Sequence, residues 1–337
     1  MYTFLISALF LVCFAQNPSP PTLDQALEKF GFIQEQIVEG NDTITYFLRN
    51  YTSQPNKLVV FIQGTEANPI FSYSENKDQP PTFYRWFGSE YQLLDSTYTY
   101  AIVPKPGMAG LYKDGAIQIP TSYYTNNYLD YRVKQLDRSI QHIVENHLSK
   151  AEIVIVYGHS EGAAIGAALA NVNPSITHLG FWSGNVLNNF YEFALFNRIE
   201  ALQGTTTDAE AHQNILGILE WYQGVLQAPN STELDHFGFT NKRWSTYEKA
   251  PIDYLLQLDL PIYALFATQD ESTPIETAYL LPIKFMEHRK TNLTFEVCLG
   301  CDHAYQLETP DGRKALWQEQ FLKFMEWAEK VAPVKRN

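Results

Sequence analysis

Five residues, Gly158-His159-Ser160-Glu161-Gly162, follow an unbroken apolar run, Ile153-Val154-Ile155-Val156-Tyr157, and lead into an alanine-rich stretch from Ala163 to Ala170. The run has the length of a buried strand, and the stretch after it reads as a helix of small residues able to lie close to a sheet. Between them the chain turns so sharply that neighbouring Cβ atoms would collide, which accounts for a glycine on either side of the serine. A chain built around such a strand, turn and helix is an α/β protein with a covered, mostly parallel sheet. The Ser160 hydroxyl would project above the C-terminal edge of that sheet.

A serine placed in this way is a candidate nucleophile, and a nucleophilic serine needs a base and an acid to orient the base. Pro261-Ile262-Tyr263-Ala264-Leu265-Phe266-Ala267 reads as a further buried strand. It empties into the polar turn Thr268-Gln269-Asp270-Glu271-Ser272-Thr273-Pro274. Asp270 is the first choice for the acid and Glu271 the second. The next strand, Leu293 to Leu299, runs into Gly300-Cys301-Asp302-His303, which makes His303 the candidate base. Asp302 is adjacent to His303, so their side chains point apart on an extended loop, and Asp302 is expected to orient the loop. His159, His142, His147, His178, His212, His236 and His288 lack the strand-end setting and read as structural or surface residues.

On these three segments the chain resembles the α/β-hydrolases, most nearly the secreted esterase and serine-peptidase-like members. Gly300-Cys301-Asp302-His303-Ala304-Tyr305 is similar to that family's Gly-x-Asp-His segment. The resemblance covers most of residues 43 to 330 and implies a triad of Ser160, Asp270 and His303. It also implies an oxyanion hole of backbone N–H groups. One is expected from Glu161, at the positive end of the helix. The other is expected from the loop after Lys57-Leu58-Val59-Val60-Phe61-Ile62, with Thr65 first and Gly64 second. Many relatives carry histidine before that glycine, where this chain has Gln63. The Glu161 side chain has three readings: substrate contact, solvated group or helix cap. The expected reaction is cleavage of a carboxylic ester through an acyl-Ser160 intermediate. A serine exopeptidase or amidase with the same triad is one alternative, and a non-catalytic binding protein of the same fold is another.

Partners and compartment follow from composition. The formal net charge of −13 disfavours a polyanionic partner, and no stripe of lysine or arginine offers a phosphate backbone a footing, so nucleic acid is not expected. A small-molecule ester or short peptide is the expected partner. No phosphate-binding glycine loop, dinucleotide fingerprint or zinc-type array is present, so neither cofactor nor metal is expected. Leu5 to Phe14 is too short to span a bilayer and precedes Ala15-Gln16 and a proline-rich stretch. It reads as a signal peptide, residues 1–15, directing the chain to a secreted or periplasmic location. Lipid anchoring through Cys13 is disfavoured because bulky Val12 precedes it. With Cys13 removed, Cys298 and Cys301 remain, an even pair that suggests a disulfide in an exported chain; free thiols or a redox pair are the alternatives. The sequons at Asn41, Asn50, Asn230 and Asn292 are compatible with export.

The expected organisation is a proline-rich linker at 16–21, an α/β core at 22–184 and 256–332, and a helical cap inserted at 185–255. A helix and an edge hairpin are expected within 22–56, with a strand from Thr43 to Leu48. Further strands are expected at 57–63, 98–103, 151–157, 176–183, 261–267 and 293–299, and helices near 126–149, 161–171 and 310–331. Amphipathic pieces at Phe190 to Leu202 and Ala211 to Leu226 would build the cap. Phe71, Tyr73, Phe83, Tyr84, Trp86 and Phe87, on the loop after Thr65 that is followed by Pro104-Lys105-Pro106-Gly107, would either line a pocket or anchor the loop.

Overall fold

The computed structural model describes residues 20–49, 55–76, 79–148 and 150–333. The expected signal peptide, Cys13, most of the linker and Asn50 lie outside the described residues. Eight strands form the main sheet: β1 (Phe32–Glu39), β2 (Asp42–Arg49), β3 (Lys57–Ile62), β4 (Tyr98–Ile102), β5 (Ile153–His159), β6 (His178–Trp182), β7 (Ile262–Ala267) and β8 (Leu293–Cys298). Their spatial order is β1-β2-β4-β3-β5-β6-β7-β8. β2 pairs antiparallel with both its neighbours, and every other pairing is parallel. In β5, β6 and β7 nearly every residue is buried, as continuous apolar strands covered on both faces should be.

Two helices, α1 (Leu129–Asn146) and α2 (Glu161–Val172), cover one face. There Leu136, Ile140, Ala163, Ala167 and Leu169 join Val60, Val156 and Leu179 in one core. The small side chains of α2 let its backbone approach the sheet closely. The other face is aromatic: Tyr157, Trp182 and Tyr263 meet Phe321 and Phe324 of the C-terminal helix Trp317–Lys330. The disulfide between Cys298 and Cys301 is formed.

Two expectations need correction. The helix expected at 310–331 begins only at Trp317, because Gln306–Thr309 and Gly312–Ala315 pair as an antiparallel hairpin. Thr309-Pro310-Asp311-Gly312 supplies its turn, with Gly312 at φ 116°. The segment after Thr65 is not a loop throughout; Phe71–Asn76, Gln79–Arg85 and Leu111–Lys113 make a small separate sheet. Among the sequons, the Asn292 amide donates to the carbonyls of Leu258 (3.0 Å) and Leu260 (2.7 Å), whereas Asn41 and Asn230 are exposed. Asn292 is thus a structural clamp between two loops.

The segment between β6 and β7 carries α3 (Asn189–Gln203), α4 (Asp208–Gln227), α5 (Asn241–Ser245) and the short helix Pro251–Leu255. α3 and α4 are well capped, by Asn188 and by a Thr207–Glu210 capping box. They pack through a satellite aromatic core of Phe190, Val225 and Trp244, with Tyr222 stacked on Phe190 at 4.3 Å.

Candidate active site

Ser160 stands between β5 and α2 with φ 58° and ψ −127°. This conformation costs a non-glycine residue of order 1–3 kcal/mol and holds only where the surroundings enforce it. They do so here through close backbone contact. A Cβ on Gly158 would lie 2.0 Å from the Gly162 carbonyl oxygen, and one on Gly162 would lie 2.2 Å from that of Ile62. Ser160 N–H is held by the Trp182 carbonyl at 2.9 Å.

The loops after β7 and β8 bring Asp270 to His303. The imidazole Nδ1 lies 2.9 Å from each Asp270 carboxylate oxygen, leaving Nε2 as the nitrogen available to a substrate or to Ser160. Burial would raise the Asp270 pKa, but the His303 ring and the Thr273 backbone and hydroxyl donors hold it below the ordinary carboxylate value. Glu271 takes a different part. Its Oε2 accepts the His303 backbone N–H at 3.3 Å. Asp302 accepts the N–H groups of Ala304 and Gln306 and so shapes the loop. Among the described residues, Ser160 Oγ makes no hydrogen bond; Ser160 and His303 line one cavity.

The sequence reads His159 as structural, and the structure places it beside the site. Its Nε2–H donates to the His303 carbonyl at 2.8 Å, and its ring lies 4.5 Å from the His303 ring, centroid to centroid. Burial, reinforced by His303, lowers its pKa to about 3, so it stays neutral. His236, also set aside on sequence, lies on the cavity wall against Trp221, with ring centroids 5.2 Å apart. His178 is buried and bonded to the Val331 carbonyl, and His142 and His147 both meet the Tyr46 hydroxyl.

The loop after β3 comes up beside the serine. A Cβ on Gly64 would approach Ser160 Cβ to 3.1 Å. The Thr65 carbonyl accepts from Lys105 Nζ at 2.7 Å and from the Tyr123 hydroxyl at 3.2 Å, which fixes the loop from behind. Burial lowers the Lys105 pKa to about 7, with Glu161 opposing that shift. Among the described residues neither the Thr65 nor the Glu161 backbone N–H has a protein acceptor. Gln63 lines the cavity, and among the described residues its amide reaches only the Asn68 carbonyl, at 3.4 Å.

The Glu161 side chain is neither a solvated group nor a helix cap, and Glu161 is among the residues that line the cavity. It is buried, ion-paired to Arg243 Nη2 at 2.6 Å and bonded to the Tyr247 hydroxyl at 2.7 Å. Burial alone would raise its pKa; Arg243, Lys105 and Tyr247 together hold it well below the carboxylate range. Arg243 sits on α5, so the segment between β6 and β7 reaches back to the residue next to Ser160. Nothing local in the sequence marks that pairing, because its members are 82 positions apart.

The cavity over Ser160 has a volume of about 1270 Å³. Gly64, Thr65, Ser160 and His303 form its floor, and Phe193, Trp221 and Trp244 wall one side. Of the aromatic residues expected near Thr65, Trp86 reaches the cavity, while Phe71 and Phe87 pack with Phe32 and Tyr91. The His303, Asp270 and Ser160 positions fall at the C-terminal edge of a parallel sheet, where such folds bind ligands.

No family model matches the chain, and no curated relative does. Solved structures do. An acylaminoacyl peptidase from Pyrococcus horikoshii superposes with a TM-score of 0.56 at 12% identity, over 91% of this chain and 43% of that one. Est1E from Butyrivibrio proteoclasticus superposes at 0.52 and 12% identity, over 88% of this chain and 99% of that one. An esterase from Pyrococcus furiosus superposes at 0.51 and 12% identity, over 89% and 92%. The chain has the α/β-hydrolase fold. Within that α/β-hydrolase architecture the described residues include no helix long and apolar enough to cross a membrane and no cluster of potential metal ligands.

Proposed function

We propose that this chain is a secreted serine hydrolase that cleaves a carboxylic ester, with Ser160, His303 and Asp270 as its triad. The observation that carries the reading is Ser160, held at φ 58° in the same cavity as an imidazole whose Nδ1 is already engaged by Asp270. Neutral serine is a weak nucleophile, so His303 Nε2 takes the Oγ proton as Oγ bonds to the ester carbonyl carbon. The hydrogen bond between them closes as substrate enters. The carbonyl electrons pass to oxygen, and the Thr65 and Glu161 N–H groups hold the oxyanion, each donor worth about 3 kcal/mol. Collapse breaks the C–O bond, and His303 gives its proton to the departing alkoxide. Water then repeats the sequence on the acyl-enzyme. Asp270 stays ionised and stabilises the imidazolium.

Two solved structures of similar fold and length fit an ester hydrolase: the Pyrococcus furiosus esterase, and Est1E in extent. The acylaminoacyl peptidase supports the amidase alternative but is more than twice as long as the part this chain covers. Residues 185–255 are proposed as a cap, since α3, α4 and α5 wall the cavity. Export is supported by the bridge at Cys298 and Cys301 together with the early apolar run. The test is labelling with a fluorescent fluorophosphonate, with the adduct mapped by mass spectrometry. Wild type should label on Ser160 alone and Ser160→Ala not at all; no labelling of folded wild type, with detergent or substrate present to open the cap, would sink the hydrolase.

A further inference from the structure

The sides of the cavity say more about the substrate than its floor does. Phe193 and Trp221 lie with ring planes 10° apart and centroids 6.0 Å apart. Trp244 stands across both, at 87° to the first and 86° to the second. These rings are not all needed to hold the cap together. Phe190, Val225 and Trp244 form the buried core between α3, α4 and α5, and Phe193 and Trp221 pack against it while remaining partly accessible and lining the cavity. An acetyl or other short ester would leave most of about 1270 Å³ to water. A flat group placed on this corner would cover aromatic surface at little entropic cost.

Charge narrows the class further. Glu66, Glu200 and Glu271 border the cavity and are exposed at its rim. Among the described lining residues Arg243 is the one lysine or arginine, and its charge is met by Glu161 at 2.6 Å. A substrate carboxylate would therefore meet like charge and no free counter-ion. A cation would meet the carboxylates at the rim and the faces of the rings inside.

Resting on the hydrolase reading above, we propose that the substrate is an ester bearing a bulky aromatic group that is neutral or cationic, selected by Phe193, Trp221 and Trp244. The experiment has a kinetic arm and a binding arm. In the first, kcat/KM is measured for ethyl acetate, ethyl naphthylacetate and naphthylmethyl acetate, with ammonium and carboxylate derivatives of the naphthyl esters. At least one naphthyl ester should exceed ethyl acetate by roughly 10- to 200-fold. Its carboxylate derivative should lose that advantage and its ammonium derivative keep it. Trp221→Ala, or Phe193→Leu if the alanine variant does not fold, should lower the ratio of naphthyl to ethyl ester by about tenfold.

In the second arm, Ser160→Ala protein is titrated with naphthylmethylammonium and with naphthoate, read by tryptophan quenching. The ammonium should bind at least about tenfold more tightly than the carboxylate, and Trp221→Ala should weaken it. Ester turnover with no naphthyl preference, or equal binding of both ions, would overturn the substrate class while leaving the hydrolase standing. Selective naphthyl binding without Ser160 labelling would do the reverse, leaving an aromatic-ligand site on a fold that performs no hydrolysis.

Discussion

His303 is aimed by contacts on three sides: Asp270 on Nδ1, Glu271 on its backbone N–H, and neutral His159 on its carbonyl. Of these, Asp270 sets which ring nitrogen carries the proton. Asp270→Asn should lower kcat on the order of 10³- to 10⁴-fold with a much smaller change in KM, because an amide N–H facing Nδ1 favours the wrong tautomer. The same residue has a signature in stability. Its pKa is lower in the folded chain than in the unfolded one, so the folded state binds fewer protons as acid is added. The stability it supplies is complete above roughly pH 4, the ordinary Asp value, and is lost as pH falls through the lower folded value. Between about pH 5 and pH 2.5 the wild-type melting temperature should fall more steeply than that of Asp270→Asn; parallel slopes would mean that the carboxylate gains nothing from its setting. Strand-end spacing in the sequence was enough to nominate Asp270, with Glu271 beside it. It could not assign His159, whose contact runs through the backbone of a residue on another strand's loop.

At the scale of elements, α5 is tied to the first turn of α2 by the Arg243–Glu161 pair, with Tyr247 on the second carboxylate oxygen. Breaking a buried pair strands a charge, so Arg243→Ala should cost about 3–5 kcal/mol of stability, read by denaturant unfolding. It should also lower kcat, since Glu161 N–H is the proposed oxyanion donor. Replacing both partners, as in Glu161→Gln with Arg243→Met, should recover part of the lost stability, because the paired charges leave together, while buried Lys105 loses the carboxylate that favours its charge. If the single variant is as stable as wild type, the pair is not a tie. Elements were legible where burial is uniform: β5, β6 and β7 read as apolar runs because helices cover both faces. They were not legible where the pairing is short and exposed. Gly312–Ala315 has no buried residue to print a pattern, and its polar residues pass for the start of a helix. Phe71 and Phe87 are aromatic for the sake of the core, so their type alone could not separate pocket lining from packing.

Across the whole molecule, the proposed triad depends on the loops after β7 and β8 staying in register, and the Cys298–Cys301 bridge lies where they meet. Thr268 N–H donates to the Cys298 carbonyl at 3.2 Å and Gln269 N–H to the Cys301 carbonyl at 2.9 Å. The bridged turn thus holds the backbone just before Asp270 and lies just before His303. A loop this short gains only about 2 kcal/mol from the cross-link on the chain-entropy account. Loss of the bridge should consequently affect rate more than stability. Cys298→Ser with Cys301→Ser should melt a few degrees lower and lose a larger share of kcat than of folded protein measured by circular dichroism. Unchanged kcat in the double variant would make the bridge a bystander to the site. The same cysteines test the proposed export. The sequence holds three, one of them Cys13 in the expected signal peptide. Unreduced protein recovered from the culture medium should therefore titrate no free thiol, and its mass should match a chain beginning at Gln16. One free thiol in a chain that keeps residues 1–15 would argue against cleavage there while leaving the bridge intact. Thiols at Cys298 and Cys301 would remove the oxidising compartment from the argument altogether.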